Sequence, residues 1–161
     1  MPVHRHPIAV SGAMSPLAAV PLDHALIARL RASFEQLRPD GSRLGEVFYS
    51  KLFAVAPHLR PLFRSDPGQQ ATKLIASLDT IVRNLSAPVD NAAMIRAMGE
   101  RHAGYGARPE HYELVVGLLI ESIREVLGAA ADARVLEEWG TALRLVSQQM
   151  ISAAAGRRPS A

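Results

Sequence analysis

Cysteine is absent from the 161 residues of this chain. Its absence excludes disulfide bonds, zinc–thiolate sites, iron–sulfur clusters and the covalent attachment of c-type haem. The chain also lacks any apolar run of about 18 residues, so we expect no membrane-spanning helix. Aromatic residues are few, at 5%, and the arginines behind the net charge of +3 are scattered along the chain. Because a nucleic-acid surface needs clustered basic residues, nucleic-acid binding is not expected.

The hydrophobic and charged content is typical of one globular domain, and both ends of the chain are predicted to be disordered. A hydrophobic fraction of 48% and a charged fraction of 20% are ordinary for a soluble protein of this length. Residues 1–20 carry Ser, Gly and Pro within their apolar stretch, which favours a disordered leader over a signal peptide. We therefore predict a leader over 1–20, a domain over 21–155 and a disordered tail over 156–161, in a cytoplasmic protein.

Apolar residues between the two ends recur at helical spacing, and no segment alternates like a half-buried strand. We predict an all-α fold of about seven helices joined by short loops rich in Pro and Gly. The second helix is expected to turn its apolar stripe, which ends at Val55, toward the core. Segment 57–63 is predicted to be a short, tight helix. Three helices are preceded by candidate N-caps, namely Asp23, Asp40 and Asp66, and the last helix is predicted to begin at about Asp132.

The segment MIRAMGERH, 94–102, ends an apolar helical face with a histidine, His102. The stretch before it, SAPVDN at 86–91, is predicted to be the loop that closes the preceding helix. A histidine near a helix end is usually a satisfied core residue or a partner of the helix dipole. A metal ligand is the alternative, and spacing alone favours the ordinary role.

Three further residues are candidates for a site, and each has an ordinary alternative. Gln70 begins the apolar stripe of its helix, where its amide either faces inward and needs partners or points to water. Tyr49, in VFYSKLF, is either a buried residue whose hydroxyl needs a partner or a simple core residue. Phe63, at the end of LRPLF, is either part of a site or an anchor for a loop.

Five motifs in this order and spacing resemble the globin family: FYSKLF, LRPLF, QQATKL, RHAGYGARPEHY and EEWG. The likeness is greatest to single-domain bacterial globins and to the globin part of flavohaemoglobins, and it covers roughly residues 23–153. The most specific parts are LRPLF and the interval from His102 to the HY pair at 111–112. The resemblance implies the globin fold, a three-on-three helical sandwich, around haem b.

On the proximal side, His102 matches the histidine that ligates haem iron, and Tyr112 matches the tyrosine beside it. One departure stands out. The flavohaemoglobin-like pattern has a glutamate in the last helix, fifteen residues after Trp139, and this chain has Ala154 there. A missing carboxylate weakens the donation of electron density to the iron, so strong activation of the peroxidase or flavohaemoglobin type is not expected.

On the distal side, Tyr49 and Gln70 match the pair that faces a bound gas. Phe63 matches the aromatic residue that packs on the haem, and Leu74 the apolar residue beside the ligand. Lys73 matches a basic residue at the pocket mouth, and its ordinary alternative is a solvated surface lysine.

The resemblance implies a protein that reversibly binds oxygen, and also CO and NO. A Tyr hydroxyl and a Gln amide both donate hydrogen bonds to the partial negative charge of bound oxygen, so we expect high affinity and slow release. Three alternatives remain. The first is a nitric oxide dioxygenase served by a separate reductase, because the chain has no Gly-rich dinucleotide fingerprint. The others are a gas or redox sensor that acts through a partner and a helical bundle without haem. Both a monomer and a homodimer fit the sequence.

Overall fold

The computed structural model describes residues 22–85 and 88–156, with backbone only for 88–91. None of these residues is in a strand, so the all-α prediction is confirmed. The described residues form six α-helices, namely α1 His24–Leu37, α2 Gly41–Val55, α3 Pro67–Arg83, α4 Pro88–Gly104, α5 Pro109–Leu127 and α6 Ala133–Ala155. Three 3₁₀ turns occur at Arg38–Asp40, Pro57–Leu62 and Gly128–Ala130. The turn at Pro57–Leu62 is the short, tight helix predicted there, and it brings the helix count to the expected seven.

None of the helices in the described ranges has the length and apolarity that a bilayer crossing needs. The predicted leader over 1–20 lies outside the described residues. The same holds for the predicted tail apart from Gly156, where the last helix is capped.

Two of the three predicted aspartate caps form, and Asp132 caps the last helix in the same way. The carboxylates of Asp23, Asp66 and Asp132 accept backbone N–H groups in the first turns of α1, α3 and α6 at 2.7 to 3.1 Å. The prediction for Asp40 is wrong, because its side chain accepts no such bond. Asp40 is the last residue of a 3₁₀ turn, and its φ of −103° and ψ of 25° are not the extended values that a capping residue adopts.

Helix α4 begins earlier than the sequence indicated. Residues 88–91, predicted as part of a loop, are its first turn, while the two residues before them lie outside the described ranges. Pro88 at the first helical position accounts for this start, because the N–H that proline lacks has no intrahelical acceptor there.

Two apolar clusters fill the interior. The larger joins α1, α2, α3, α5 and α6 and contains Trp139, whose indole N–H donates to Ser33 Oγ at 2.8 Å. The smaller lies between α3, α4 and α6, and its buried members are Ile81, Ile95, Met98, Val146 and Met150. Val55 does not join the core as predicted and is 61% exposed. It is the last residue of α2, and the chain turns so that Ala56 takes the buried position instead.

Two glycines allow helix pairs to approach closely. A Cβ on Gly45 of α2 would overlap the Cβ of Ala71 on α3. A Cβ on Gly99 of α4 would lie 2.6 Å from the carbonyl oxygen of Met150 on α6. The α2–α3 and α4–α6 contacts are the most extensive helix contacts in the described part of the chain. Three of these helices carry candidate site residues: Tyr49 on α2, Gln70 and Leu74 on α3, and His102 on α4.

Candidate functional site

The predicted site residues form two groups. One, the α2–α3 wall, consists of Tyr49, Phe63, Gln70 and Leu74. The other, the α4–α5 wall, consists of His102 and Tyr112. Helix α3 connects them, because its Leu78 and Val82 belong to the larger apolar cluster and its Ile81 to the smaller one. Lys73, the remaining predicted residue, belongs to neither wall.

The Tyr49 ring is the centre of the α2–α3 wall. Its centroid lies 5.0 Å from that of Phe48, 5.9 Å from Phe53 and 5.4 Å from Phe63. Three of the chain's four phenylalanines therefore contact one tyrosine. The Phe53 and Phe63 rings also meet edge to face at 5.5 Å, and the Arg60 guanidinium lies 5.1 Å from the Phe53 centroid. Edge-to-face pairs and this cation–π contact fix the orientation of the aromatic surface.

The Tyr49 hydroxyl donates a long hydrogen bond, 3.4 Å, to the backbone carbonyl of Gln70. Burial raises the pKa of Tyr49 to about 12, so the phenol is a neutral donor at neutral pH. A hydrogen bond of this length is weak. A better acceptor that enters the site can therefore take the hydroxyl at little cost.

Gln70 and Leu74 lie one turn apart on α3, and both are half-buried. The Gln70 side-chain amide makes no hydrogen bond to any residue that the structure describes. Its two N–H donors are therefore available to a ligand. Leu74 packs against the larger apolar cluster together with Tyr49 and Phe63. The structure thus brings all four residues of the α2–α3 wall onto one apolar surface with two polar groups.

Lys73 is exposed, and its ammonium donates to Ser65 Oγ at 2.9 Å. This bond ties the loop between Phe63 and α3 to the outer face of α3. The side chain therefore lies on the solvent side of the helix, as the ordinary alternative for Lys73 expected.

His102 lies half-buried in the last turn of α4, and its Nδ1 is 2.8 Å from the carbonyl oxygen of Met98. Because a carbonyl only accepts, we assign the ring proton to Nδ1, which leaves a free lone pair on Nε2. A backbone carbonyl on the other ring nitrogen is a common partner of a metal-ligating histidine. The sequence did not indicate Met98 for this purpose, because the interaction uses its backbone and any residue type would serve.

Two tyrosines flank the His102 ring. Tyr112 is half-buried against the smaller apolar cluster, with its centroid 6.5 Å from that of His102 and the planes 37° apart. Burial raises its pKa. Tyr105 lies 6.4 Å away, edge-on, and is 64% exposed. Helical periodicity assigns no role to Tyr105, because α4 ends at Gly104, between His102 and Tyr105.

The two walls offer complementary chemistry. The α2–α3 wall presents a neutral hydroxyl and an unpaired amide on an aromatic surface, and the α4–α5 wall presents one imidazole nitrogen. Among the described residues, no three His, Cys, Asp or Glu side chains are grouped as a metal site of their own. A single imidazole is the type of axial ligand that a metal already held by a planar cofactor takes from a protein.

The family model described as Globin matches residues 46–150, a range that includes every residue of both walls. Among curated proteins, the flavohemoprotein of Bordetella pertussis is 30% identical over 127 residues, which cover 77% of this chain and 32% of that protein. The flavohemoprotein of Xylella fastidiosa is 32% identical over 119 residues, which cover 72% of this chain and 30% of that protein. The chain thus spans about a third of the length of these relatives.

Solved structures show the same fold. An engineered carbene transferase, described as a putative nitric oxide dioxygenase from Rhodothermus marinus, has a TM-score of 0.74 at 29% identity and covers 83% of this chain and 94% of its own. A bacterial globin from Campylobacter jejuni has a TM-score of 0.74 at 20% identity, with coverages of 83% and 97%. By its family match, and with the fold that these structures share, this chain belongs to the globin family.

Proposed function

We propose that this globin binds haem b through His102 and uses it to bind oxygen reversibly, with CO and NO as further ligands. The observation that carries the proposal is the hydrogen bond from His102 Nδ1–H to the Met98 carbonyl, which leaves Nε2 free as the only ring nitrogen able to ligate. The apolar, aromatic α2–α3 wall suits a planar cofactor. Haem supplies the iron at which the gas coordinates, and the residues of the two walls hold it and select the ligand.

Tyr49 and Gln70 stabilise a bound gas according to its charge. Oxygen carries partial negative charge when bound, whereas carbon monoxide carries little. The Tyr49 hydroxyl leaves its weak bond to the Gln70 carbonyl and donates to the ligand, and the unpaired Gln70 amide does the same. Each such bond contributes about 1–3 kcal/mol, which corresponds to a tenfold to hundredfold slower release of oxygen.

Absorption spectra test the cofactor. The protein is measured as isolated, after dithionite reduction and under carbon monoxide, beside His102→Ala and the control His58→Ala, which removes an exposed histidine. We expect a haem spectrum that responds to carbon monoxide, unchanged in the control and lost or altered in His102→Ala. A wild-type spectrum in His102→Ala would refute the ligand assignment. No haem band, even after reconstitution, would refute gas binding itself.

Oxygen release then tests the two donors. Stopped-flow measurements on Tyr49→Phe and Gln70→Leu should each show oxygen release about tenfold to hundredfold faster than the wild type. Release of carbon monoxide should change less. Equal changes for both gases would mean that the side chains act by size rather than by hydrogen bonding.

A second candidate function is a nitric oxide dioxygenase, favoured by the 29% identity to the putative enzyme from Rhodothermus marinus. The reaction joins one NO and one oxygen molecule into nitrate and needs one electron per turnover from a donor. The test is aerobic NO consumption with NADH and a flavin reductase, with nitrate counted against NO. Consumption no faster than that of the reductase alone would refute this function.

A further inference from the structure

An exposed aromatic ring lies beside the proposed iron ligand, at the corner between α4 and α5. Tyr105 is 64% exposed, and Val55 is the only other large apolar side chain exposed within the described residues. The Tyr105 ring meets the His102 ring edge-on at 6.4 Å between centroids. A tyrosine this open contributes little to packing, and tyrosine is enriched where proteins contact each other because its ring is apolar and its hydroxyl polar. We refer to residues 101–108 as the Tyr105 corner.

The Tyr105 corner is held on the backbone of His102. The His102 carbonyl accepts the N–H groups of Tyr105 and Ala107 at 3.1 and 3.0 Å. Gly106 adopts a φ of 99°, which favours glycine, and a Cβ there would lie 3.0 Å from Leu62 Cδ2. The corner therefore abuts the 3₁₀ turn at Pro57–Leu62. A surface fixed in this way loses little entropy when a partner docks.

Arginines outnumber glutamates in the Tyr105 corner and in the 3₁₀ turn that it abuts. Segments 57–64 and 100–111 together contain four arginines and two glutamates, namely Arg60, Arg64, Arg101, Arg108, Glu100 and Glu110. All four arginines are exposed. Glu110 is 4.0 Å from the Arg108 guanidinium, and Glu100 is half-buried. The surplus of positive charge favours a partner with an acidic surface, mostly by speeding its approach.

We propose that the Tyr105 corner is the docking surface for an acidic one-electron donor protein, and that the Tyr105–His102 ring contact connects this surface to the haem iron. The proposal rests on the haem binding proposed above. One electron leaves the reduced donor, and ferric iron becomes ferrous. No covalent bond forms or breaks, and Tyr105 is neither oxidised nor reduced overall. A donor is required both to restore the oxygen-binding ferrous state and to sustain NO turnover.

Stopped-flow reduction of the ferric protein tests the surface, with reduced flavodoxin, a small acidic FMN protein, as the probe donor. We expect the bimolecular rate to fall as salt is added, and Arg101→Glu with Arg108→Glu to lower it about tenfold or more at low ionic strength. Tyr105→Ala should lower it as well. The control Arg124→Glu has the same charge change as Arg101→Glu or Arg108→Glu made singly. It lies on α5 about 22 Å from the first residue of that helix and should leave the rate unchanged where either single variant lowers it. Reduction by dithionite should be the same in all variants.

A binding measurement that does not depend on electron transfer uses the chain's three tyrosines. The protein is labelled with 3-fluorotyrosine, kept in the ferrous carbon monoxide form and titrated with oxidised flavodoxin. We expect the ¹⁹F resonance of Tyr105, assigned with Tyr105→Phe, to shift while that of Tyr49 stays in place.

Two results would overturn the docking surface: an unmoved Tyr105 resonance, or a reduction rate that is insensitive to salt and to the arginine variants. Both can occur in a protein with an intact haem spectrum, in which case haem binding stands. A protein without a haem band would instead refute the proposed function.

Discussion

Tyr49 and His102, the central residues of the two walls, are oriented by different means. Phe48 and Phe53 of its own helix pack against the Tyr49 ring. Phe63, from the loop after α2, and the Gln70 carbonyl of α3 contact it from outside that helix. His102 is instead held by a carbonyl of its own helix, one turn earlier. The donor on the α2–α3 wall therefore depends on tertiary packing, whereas the tautomer of the ligand on the α4–α5 wall is set locally and persists whenever α4 is formed.

Packing still decides where α4 lies. Gly99 rests against the Met150 backbone of α6, beside the smaller apolar cluster. On the other side, Gly45 rests against Ala71 where α2 meets α3. Each wall thus has one close helix contact that a single substitution can disturb. We expect disturbance of the α2–α3 contact to affect oxygen release and disturbance of the α4–α6 contact to affect the retention of haem.

The largest expected effect comes from filling these contacts. Gly45→Ala and Gly99→Ala should each lower the free energy of unfolding by about 2–3 kcal/mol, because the new methyl group meets backbone or a short side chain that cannot move aside. Urea unfolding measures this loss. Gly45→Ala should also speed oxygen release. Gly99→Ala should leave the ratio of oxygen to carbon monoxide release unchanged but speed the loss of haem.

Gly117→Ala is the control for both, because a Cβ at Gly117 on α5 meets no atom within 4 Å. It should be neutral or stabilise the protein by about 0.5–1 kcal/mol. If Gly45→Ala is as stable as this control, α2 and α3 are not in close contact. If both core variants change oxygen release equally, the two walls are not independent.

The next effect concerns Tyr49 and high pH. Its pKa is about 12 in the folded protein and close to 10 once exposed, so the unfolded chain loses this proton first. The contribution of Tyr49 to stability is therefore complete below pH 10 and is lost as pH rises to 12. Its size is roughly 2 kcal/mol. Between pH 10 and 12, the free energy of unfolding measured in urea should fall more steeply for the wild type than for Tyr49→Phe.

Tyr105→Phe is the matched control, because Tyr105 is exposed. Its free energy of unfolding should fall with pH as steeply as that of the wild type. Tyr112→Phe should flatten the slope less than Tyr49→Phe, since burial also raises the pKa of Tyr112. Identical slopes in the wild type and Tyr49→Phe would mean that water reaches the Tyr49 hydroxyl.

The features that depend on residues close together in the sequence were predictable from it. Helical periodicity, with Asp23 and Asp66 as N-caps, locates most of the helices, and the prediction failed where one element continues directly into the next. Asp40 lies inside a turn that continues into a helix, and Val55 lies where α2 ends and Ala56 replaces it in the core. In both cases the direction of the chain after the residue determines whether its side chain caps a helix or joins the core. No local sequence pattern encodes that direction.

The candidate site was predictable in part for the same reason. The spacing between motifs places Tyr49, Phe63 and Gln70 in family positions, and the structure brings them to one surface. The Met98 carbonyl carries no side-chain signal. Tyr49 and Phe53 lie one turn apart on α2, so helical spacing accounts for their contact. The contact of Phe53 with Phe63 and the approach of Tyr105 to His102 arise instead from turns at the ends of helices.

A smaller effect is expected at Gln149 on α6, next to the residue that contacts Gly99. Its amide nitrogen and oxygen are both buried and have no hydrogen-bond partner. Gln149→Met removes these unpaired groups at similar volume and should stabilise the protein by about 1–2 kcal/mol in urea unfolding. Gln148→Met, at an exposed neighbour, should change stability by about 0.5 kcal/mol or less. A destabilised Gln149→Met protein would show that an internal water satisfies the amide.

The smallest effect is expected at Lys73, which belongs to neither wall. Its bond to Ser65 is exposed, so Lys73→Met and Ser65→Ala should each change the free energy of unfolding by about 0.5 kcal/mol or less. Oxygen release should stay within about twofold of the wild type, because neither side chain lies on the surface formed by Tyr49 and Gln70. A tenfold change in Lys73→Met alone would mean that the ammonium acts on the haem or the ligand. The same change in both variants would mean that their bond holds the loop after Phe63, and hence the aromatic wall, in place.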